Sequence, residues 1–285
     1  MPDTLRLALR VPDDGAREAL VADLADLGFD AFEEDAEHVV AYAPAPRWDD
    51  PARAAVARWL DRHRLGEEDL NEDIIPDQDW NATWEASLAP VEAGPFVIAP
   101  SWADLAPAQA DRLVLRIDPK MAFGTGYHES TRLVLRLLPE AVPRGARVLD
   151  VGTGTGVLAL AALRLGAAET VGVDVDPWSV ANSEENAQRN GLADRFAIRE
   201  GSLDVAPPGP YGLVLANIIR SVLEPMLPEL ARLVAPGGAV VLAGLLQSER
   251  ERMLEAAAAS GLALAAEATE NDWWACTLRE GKRGK

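Results

Sequence analysis

Gly152, Gly154 and Gly156 alternate with Thr153 and Thr155 directly after the apolar run Val148 to Val151, and Asp174 closes the next apolar run, Thr170 to Val173. Glycine lets a strand turn sharply into a helix and leaves bare backbone that a ligand can approach. An acid at the end of the following strand is placed to accept hydrogen bonds from two ribose hydroxyls. These features together describe a nucleoside site. Nicotinamide enzymes use a similar turn, but their third glycine falls three residues after the second. Here that place is Val157, and the third glycine comes early, at Gly156. The early glycine suits a nucleoside without pyrophosphate, such as S-adenosylmethionine. The competing reading is a tight turn that holds no ligand.

Two further segments carry candidate chemistry. In "GLVLANII" a strand runs into Asn217, whose side-chain amide offers both an acceptor and a donor at the reacting end of a ligand. A turn residue bonding its own backbone is the alternative. In "MAFGTGYHESTR", Met121 to Arg132, a loop rich in glycine and threonine leads into a helix expected to start near Glu129 or Ser130. His128 is the titratable group nearest this loop, as a base or as a structural member of the turn. Phe123 and Trp178 are candidates to face a sulfonium or an adenine, with plain packing as the alternative.

The elements around these residues are legible in outline. Strands are expected at Val148 to Val151, Val171 to Val173, Phe196 to Arg199, Gly212 to Ala216 and Ala239 to Gly244. Helices between them centre on Ala161, Ala187 and Leu227, another spans Gln247 to Ala259, and two strands close the chain at Ala263 to Ala268 and Trp273 to Leu278. That order predicts an α/β fold, a seven-stranded doubly wound sheet with its ligand over the carboxyl ends of the strands. The first part reads strand (Thr4 to Val11), helix (Asp13 to Leu27, stopped by Gly28), strand (Phe29 to Phe32), strand (His38 to Ala43), helix (Asp50 to Arg64) and strand (Leu70 to Ile75). This is the order of a small ferredoxin-like α+β domain. The expected division is residues 1–75 as that domain, 76–119 as a connector, and 120–285 as the ligand-binding domain. Within the connector, Asp79 to Leu88 reads as a short helix and Leu113 to Ile117 as a strand, and Trp80, Trp84 and Trp102 are expected to pack on its neighbours.

Composition narrows the partners. The chain has 285 residues and a formal charge of −19, and residues 1–70 hold 8 basic and 17 acidic side chains. Such a balance repels phosphate backbones and attracts basic partners, which argues against direct nucleic-acid binding. No apolar run is long enough to span a bilayer. No signal peptide is visible, and a lone cysteine, Cys276, fits a reducing cytoplasm. One cysteine and three scattered histidines leave no zinc site.

The runs "DPKMAFGTGYHESTRLVLRLL", "VLDVGTGTGVLALAALRLGA", "VGVDVDPWSVANSEENAQRNG" and "LVLANII" together resemble the bacterial ribosomal protein L11 methyltransferases. "DWNATWEASLAPVEAGPFVIAPSW" is similar to that family's connector, and "NDWWACTLRE" to its final strand. The glycine turn is shared by many methyltransferases, whereas the "AFGTG.H..T" loop joined to "ANI" is much narrower. The resemblance implies S-adenosylmethionine contacts from Thr131, Gly152, Asp174 and Asn217, with Gly154 in the same turn, and a loop of Phe123, Gly124 and Thr125 closing over the ligand. It further implies methylation of lysine and N-terminal amines on a basic ribosomal protein, which the N-terminal domain would hold, with Asn217 orienting the amine. Other methyl acceptors, namely another protein, a small molecule or RNA, form the alternative. Lys120, Tyr127 and Arg220 depart from what is frequent in the family at those places.

Overall fold

The computed structural model describes residues 3–35, 37–76, 88–120 and 122–281. The chain divides into two compact units, Met1–Trp80 and Asn81–Lys285.

In the first unit, alternation of apolar and polar residues makes β1 (Thr4–Arg10), and Asp13 caps α1 (Asp14–Asp26) by accepting the Ala16 N–H. β2 (Ala31–Glu34), β3 (His38–Pro44), α2 (Asp50–His63) and β4 (Leu70–Ile75) follow. The sheet order is β2-β3-β1-β4, all antiparallel, which is the ferredoxin-like arrangement. Leu5, Leu7 and Leu9 of β1 are fully buried together with Leu20 and Leu24 of α1 and Val56 and Trp59 of α2. One strand was expected two residues early. Gly28, at φ 91°, ends α1, and the Phe29 N–H returns to the Leu24 carbonyl, so Phe29 closes the helix instead of opening β2.

In the second unit, β5 (Val91–Ala93), β6 (Phe96–Ala99) and β7 (Leu113–Arg116) form a three-stranded sheet, with the short α3 (Pro107–Ala110) between β6 and β7. Sequence reading found only β7 of these strands. Trp102 is 47% exposed and does not pack as expected; Phe96, Ile98, Leu115 and Ile117 do so, in one apolar cluster with Val148 and Leu158. The expected helix from Asp79 and the side chains of Trp80 and Trp84 lie outside the described residues.

The main sheet begins after α4 (Glu129–Ala141). β8 (Arg147–Val151), α5 (Val157–Arg164), β9 (Glu169–Asp174), α6 (Pro177–Arg189), β10 (Phe196–Glu200), β11 (Tyr211–Asn217), α7 (Arg220–Leu233), β12 (Val234–Leu246), α8 (Arg250–Ala259), β13 (Leu262–Glu270) and β14 (Trp273–Glu280) follow. Its order is β10-β9-β8-β11-β12-β14-β13, seven strands as expected. β8 to β12 run parallel, and β14 lies antiparallel between β12 and β13.

Period-two alternation decides which side chain faces which layer. Leu213 and Leu215 enter the core beneath α4 and α5, while Val214 and Ala216 enter the core with Leu223 and Leu227 of α7. The chain leaves β8 toward β9 and β10, then returns to place β11 on the other side of β8. That reversal opens a crevice beyond the carboxyl ends of β8 and β11. Gly152 and Asn217 stand at those two ends.

Candidate active site

The turn after β8 adopts the conformation its glycines permit. Gly154 has φ 54°, and a Cβ there would overlap the Phe123 carbonyl oxygen. Gly152 has φ 69°, and the Ile218 side chain covers its bare Cα. Glycine at these two places is a steric requirement.

The N–H groups of this turn close on the protein itself. Gly152 and Thr153 donate to the Val173 carbonyl at 2.8 and 3.1 Å, and Gly156 donates to the Thr153 carbonyl at 2.8 Å. Gly154 donates to Asp174 Oδ2 at 2.9 Å, and Thr155 donates to the Phe123 carbonyl at 2.8 Å. A pyrophosphate binds such a turn through free N–H groups at the helix start. Here a buried carboxyl, Asp150, lies at that start; burial pushes it up to about 7, opposed by hydrogen bonds from the Thr153 hydroxyl and the Ala159 N–H. The turn therefore suits a nucleoside without phosphate and not a dinucleotide.

Asp174 uses one oxygen for Gly154 and the other for the Asp176 N–H, at 3.0 Å. A carboxylate has about four acceptor sites, so each oxygen keeps one beyond these two bonds. Asp176 caps α6 through the Trp178 and Ser179 N–H groups, which leaves Trp178 77% exposed beside Val175, 72% exposed.

The loop 122–128 lies directly on the glycine turn. Besides the Thr155–Phe123 bond, Thr155 Oγ1 donates to the Gly124 carbonyl at 2.7 Å. The Thr125 hydroxyl accepts the Tyr127 N–H at 3.3 Å, within the loop. Phe123 is 54% exposed, its ring centroid 5.3 Å from that of His128. His128 caps α4: Nδ1 accepts the Ser130 N–H and pairs with Ser130 Oγ at 2.8 Å, and its ring meets Trp273 edge-on. Of the two expected helix starts, Glu129 and Ser130, the helix takes Glu129, and His128 has a structural duty in that turn.

Asn217 is the last residue of β11. Its Nδ2 lies 3.4 Å from the hydroxyl of buried Thr131, on the first turn of α4. Its Oδ1 is buried and has no hydrogen-bond partner. A buried acceptor left unpaired is costly, about 1–3 kcal/mol. The structure thus brings Thr131, Gly152, Gly154, Asp174, Asn217 and the Phe123–Thr125 loop to one rim of the sheet.

The three departures each have a local explanation. Lys120 sits at φ 46°, with Nζ 2.7 Å from Glu185. The Tyr127 hydroxyl donates to the Ala89 carbonyl. Arg220 bonds Glu249 at 2.9 Å and Glu224 at 2.6 Å, so two carboxylates balance its charge.

Sequence reading missed Asn182, Asn186, Thr155 and Ile218. The asparagines left a trace: Asn182, Asn186 and Asn190 recur every four residues, which puts three amides on one stripe of α6. Thr155 and Ile218 left none, because their contacts come from strands and loops distant in the chain.

A mainly parallel seven-stranded sheet, with a glycine turn after β8 and an asparagine at the end of β11, is the fold of the class I methyltransferases. The family model described as ribosomal protein L11 methyltransferase (PrmA) matches residues 24–281. A ribosomal protein L11 methyltransferase of Symbiobacterium thermophilum is 42% identical over 205 residues, 72% of this chain and 66% of that protein. The one from Thermus thermophilus is 41% identical over 200 residues, 70% of this chain and 76% of that protein. The crystal structure of a ribosomal protein L11 methylase from Lactobacillus delbrueckii subsp. bulgaricus has a TM-score of 0.64 and 28% identity, covering 68% of this chain and all of that one. This chain belongs to the ribosomal protein L11 methyltransferase family. The match spans just under two thirds of the Symbiobacterium protein's length.

Proposed function

We propose that the chain transfers methyl groups from S-adenosylmethionine to lysine and N-terminal amines of ribosomal protein L11. The observation that carries the site assignment is the unpartnered, buried Oδ1 of Asn217 at the crevice between β8 and β11. Asp174 would hold the ribose, Gly152 and Gly154 the amino acid part, Thr131 would anchor Asn217, and Phe123, Gly124 and Thr125 would cover the ligand. When bound, the donor supplies an electrophilic methyl carbon on a sulfonium.

The protein's work is alignment, a proximity effect. Asn217 Oδ1 accepts an N–H of the incoming amine and so turns its lone pair toward the crevice, without removing a proton. The amine must arrive neutral. For a lysine of ordinary pKa ~10.4 this costs about 4 to 5 kcal/mol at pH 7, and for an α-amino group about 1. A desolvated crevice lowers that cost by disfavouring the cation. Substrate capture falls to the first unit, where Glu33, Glu34 and Asp35 form an exposed acidic run. Asp35 accepts the Glu37 and His38 N–H groups, which hold its carboxyl below the ordinary range. Negative charge there attracts a basic protein. The reaction belongs to the cytoplasm, where ribosomal proteins are made. Among the described residues, no helix is long and apolar enough to cross a membrane.

The test is a methyl-transfer assay with labelled S-adenosylmethionine and purified ribosomal proteins and RNA. Label in L11 alone supports the proposal. Label in RNA, in other proteins, or nowhere refutes it.

A further inference from the structure

One stripe of α6 holds the segment that carries the loop to the glycine turn. Asn190 pairs with both backbone groups of Arg116: Oδ1 accepts its N–H at 3.0 Å and Nδ2 donates to its carbonyl at 2.7 Å. One turn earlier, Asn186 Oδ1 accepts the Asp118 N–H at 3.0 Å, and Nδ2 lies 3.4 Å from the Asp118 carbonyl. Asn182 donates to that same carbonyl at 2.9 Å, and Glu185 holds Lys120. The spacing explains the fit. Four residues of helix rise about 6 Å, and two residues of strand advance about 6.6 Å. Side-chain amides at every fourth helical position thus match alternate residues of an extended chain, and they stand in for a neighbouring strand.

Asn186 does something its neighbours do not. Its Nδ2 also donates to the Thr155 carbonyl at 3.0 Å. Thr155 in turn donates its N–H to Phe123 and its hydroxyl to Gly124. A closed circuit results: Asp118 to Asn186, Asn186 to Thr155, Thr155 to Phe123 and Gly124, and back along the chain. Asn186 has no exposed surface, and Arg189 NH1 donates to its Oδ1 at 3.0 Å while NH2 reaches Asp118 at 3.0 Å.

We infer that Asn186 is a positioning residue for donor binding: it ties the stem of the loop to the glycine turn and so sets how residues 123–125 lie over the adenosyl ligand. This rests on the methyl-donor reading of the site. Asn190 ties the same stem to the same helix without touching the turn, and is therefore the matched control.

The experiment titrates S-adenosylhomocysteine calorimetrically into the full-length protein and its variants, with steady-state methylation of L11 alongside. Asn186→Leu, which keeps volume and removes the amide, is expected to raise the Kd and the donor KM at least tenfold. The kcat at saturating donor and the KM for L11 should stay within about threefold. Both substitutions are expected to lower Tm by similar amounts, while the Kd of Asn190→Leu stays within about twofold. Equal effects of both substitutions on the Kd, or a fall in kcat with unchanged donor KM, would show a structural role only and overturn the inference. Should Asn186→Leu not fold, Asn186→Asp decides, because it keeps acceptors for the Asp118 N–H and Arg189 and loses the donor to Thr155: a rise in Kd of at least threefold supports the inference, and no change overturns it. No heat with the unaltered protein removes the methyl-donor reading itself, and this inference with it.

Discussion

Two strand ends on the same rim are built in opposite ways. After β8, each N–H of the glycine turn from Gly152 to Gly156 already has an acceptor within the protein. After β11, Asn217 ends the strand with a buried oxygen that has none. A turn saturated internally is rigid and shapes a ligand by backbone contact. A strand end with an unmet acceptor waits for a donor. Under the proposed function, the contrast separates the place that binds from the place that aligns the reacting group.

Asn217→Ala is the strongest way to break that contrast. It removes the waiting acceptor and leaves the glycine turn intact. The kcat for L11 methylation should fall by about a hundredfold, while calorimetric affinity for S-adenosylhomocysteine changes by less than about threefold. A loss of binding to match the loss of rate would mean that the two ends are not distinct.

Gly154→Ala attacks the other end. The new methyl meets the Phe123 carbonyl, and φ 54° is strained for an L side chain. Affinity for S-adenosylhomocysteine should drop by about tenfold, and stability should drop by roughly 1–2 kcal/mol. Full affinity in this variant would show that the loop does not need its contact with the turn.

Asp150 gives the saturated end a pH signature. Its folded value of about 7 stands above its ordinary 3.8 because of burial. Between those values the folded chain binds more protons than the unfolded one. The group's contribution to stability therefore falls as pH rises from about 4 to 7 and stays low above that. At most this changes the slope by ~1.4 kcal/mol per pH unit. Thermal denaturation of Asp150→Asn across this range should show a flatter profile than the parent; parallel profiles would count against a protonated Asp150.

The mildest change leaves both strand ends alone. Neutralising Glu33, Glu34 and Asp35 should raise the KM for L11 by about threefold at low ionic strength and weaken its salt dependence. Donor affinity should not move. An unchanged KM would remove these residues from substrate capture.

Much of this arrangement was legible from local pattern. Alternating apolar residues announced β1, the apolar run Leu213 to Ala216 announced β11, and the loop rich in glycine and threonine before Glu129 announced α4, because each of these depends on neighbours in the chain. β5 and β6 were not found: they span only three and four residues, too few for a period to be read. β2 slipped because Phe29 serves the end of α1, a choice set by where Trp48 stands to receive its ring.

By itself, the amino-acid order determined the two fold types, the seven strands and the residue types of the site, since glycine spacing and hydrophobic period act over a few residues. Only the tertiary structure decided that the turn's N–H groups are all taken, that Asn217 keeps a free acceptor, and that Asn186 joins Asp118 to Thr155. Those facts depend on which distant carbonyls and amides meet when the sheet closes, and hydrogen-bond partners separated by tens of residues leave no mark in any local window.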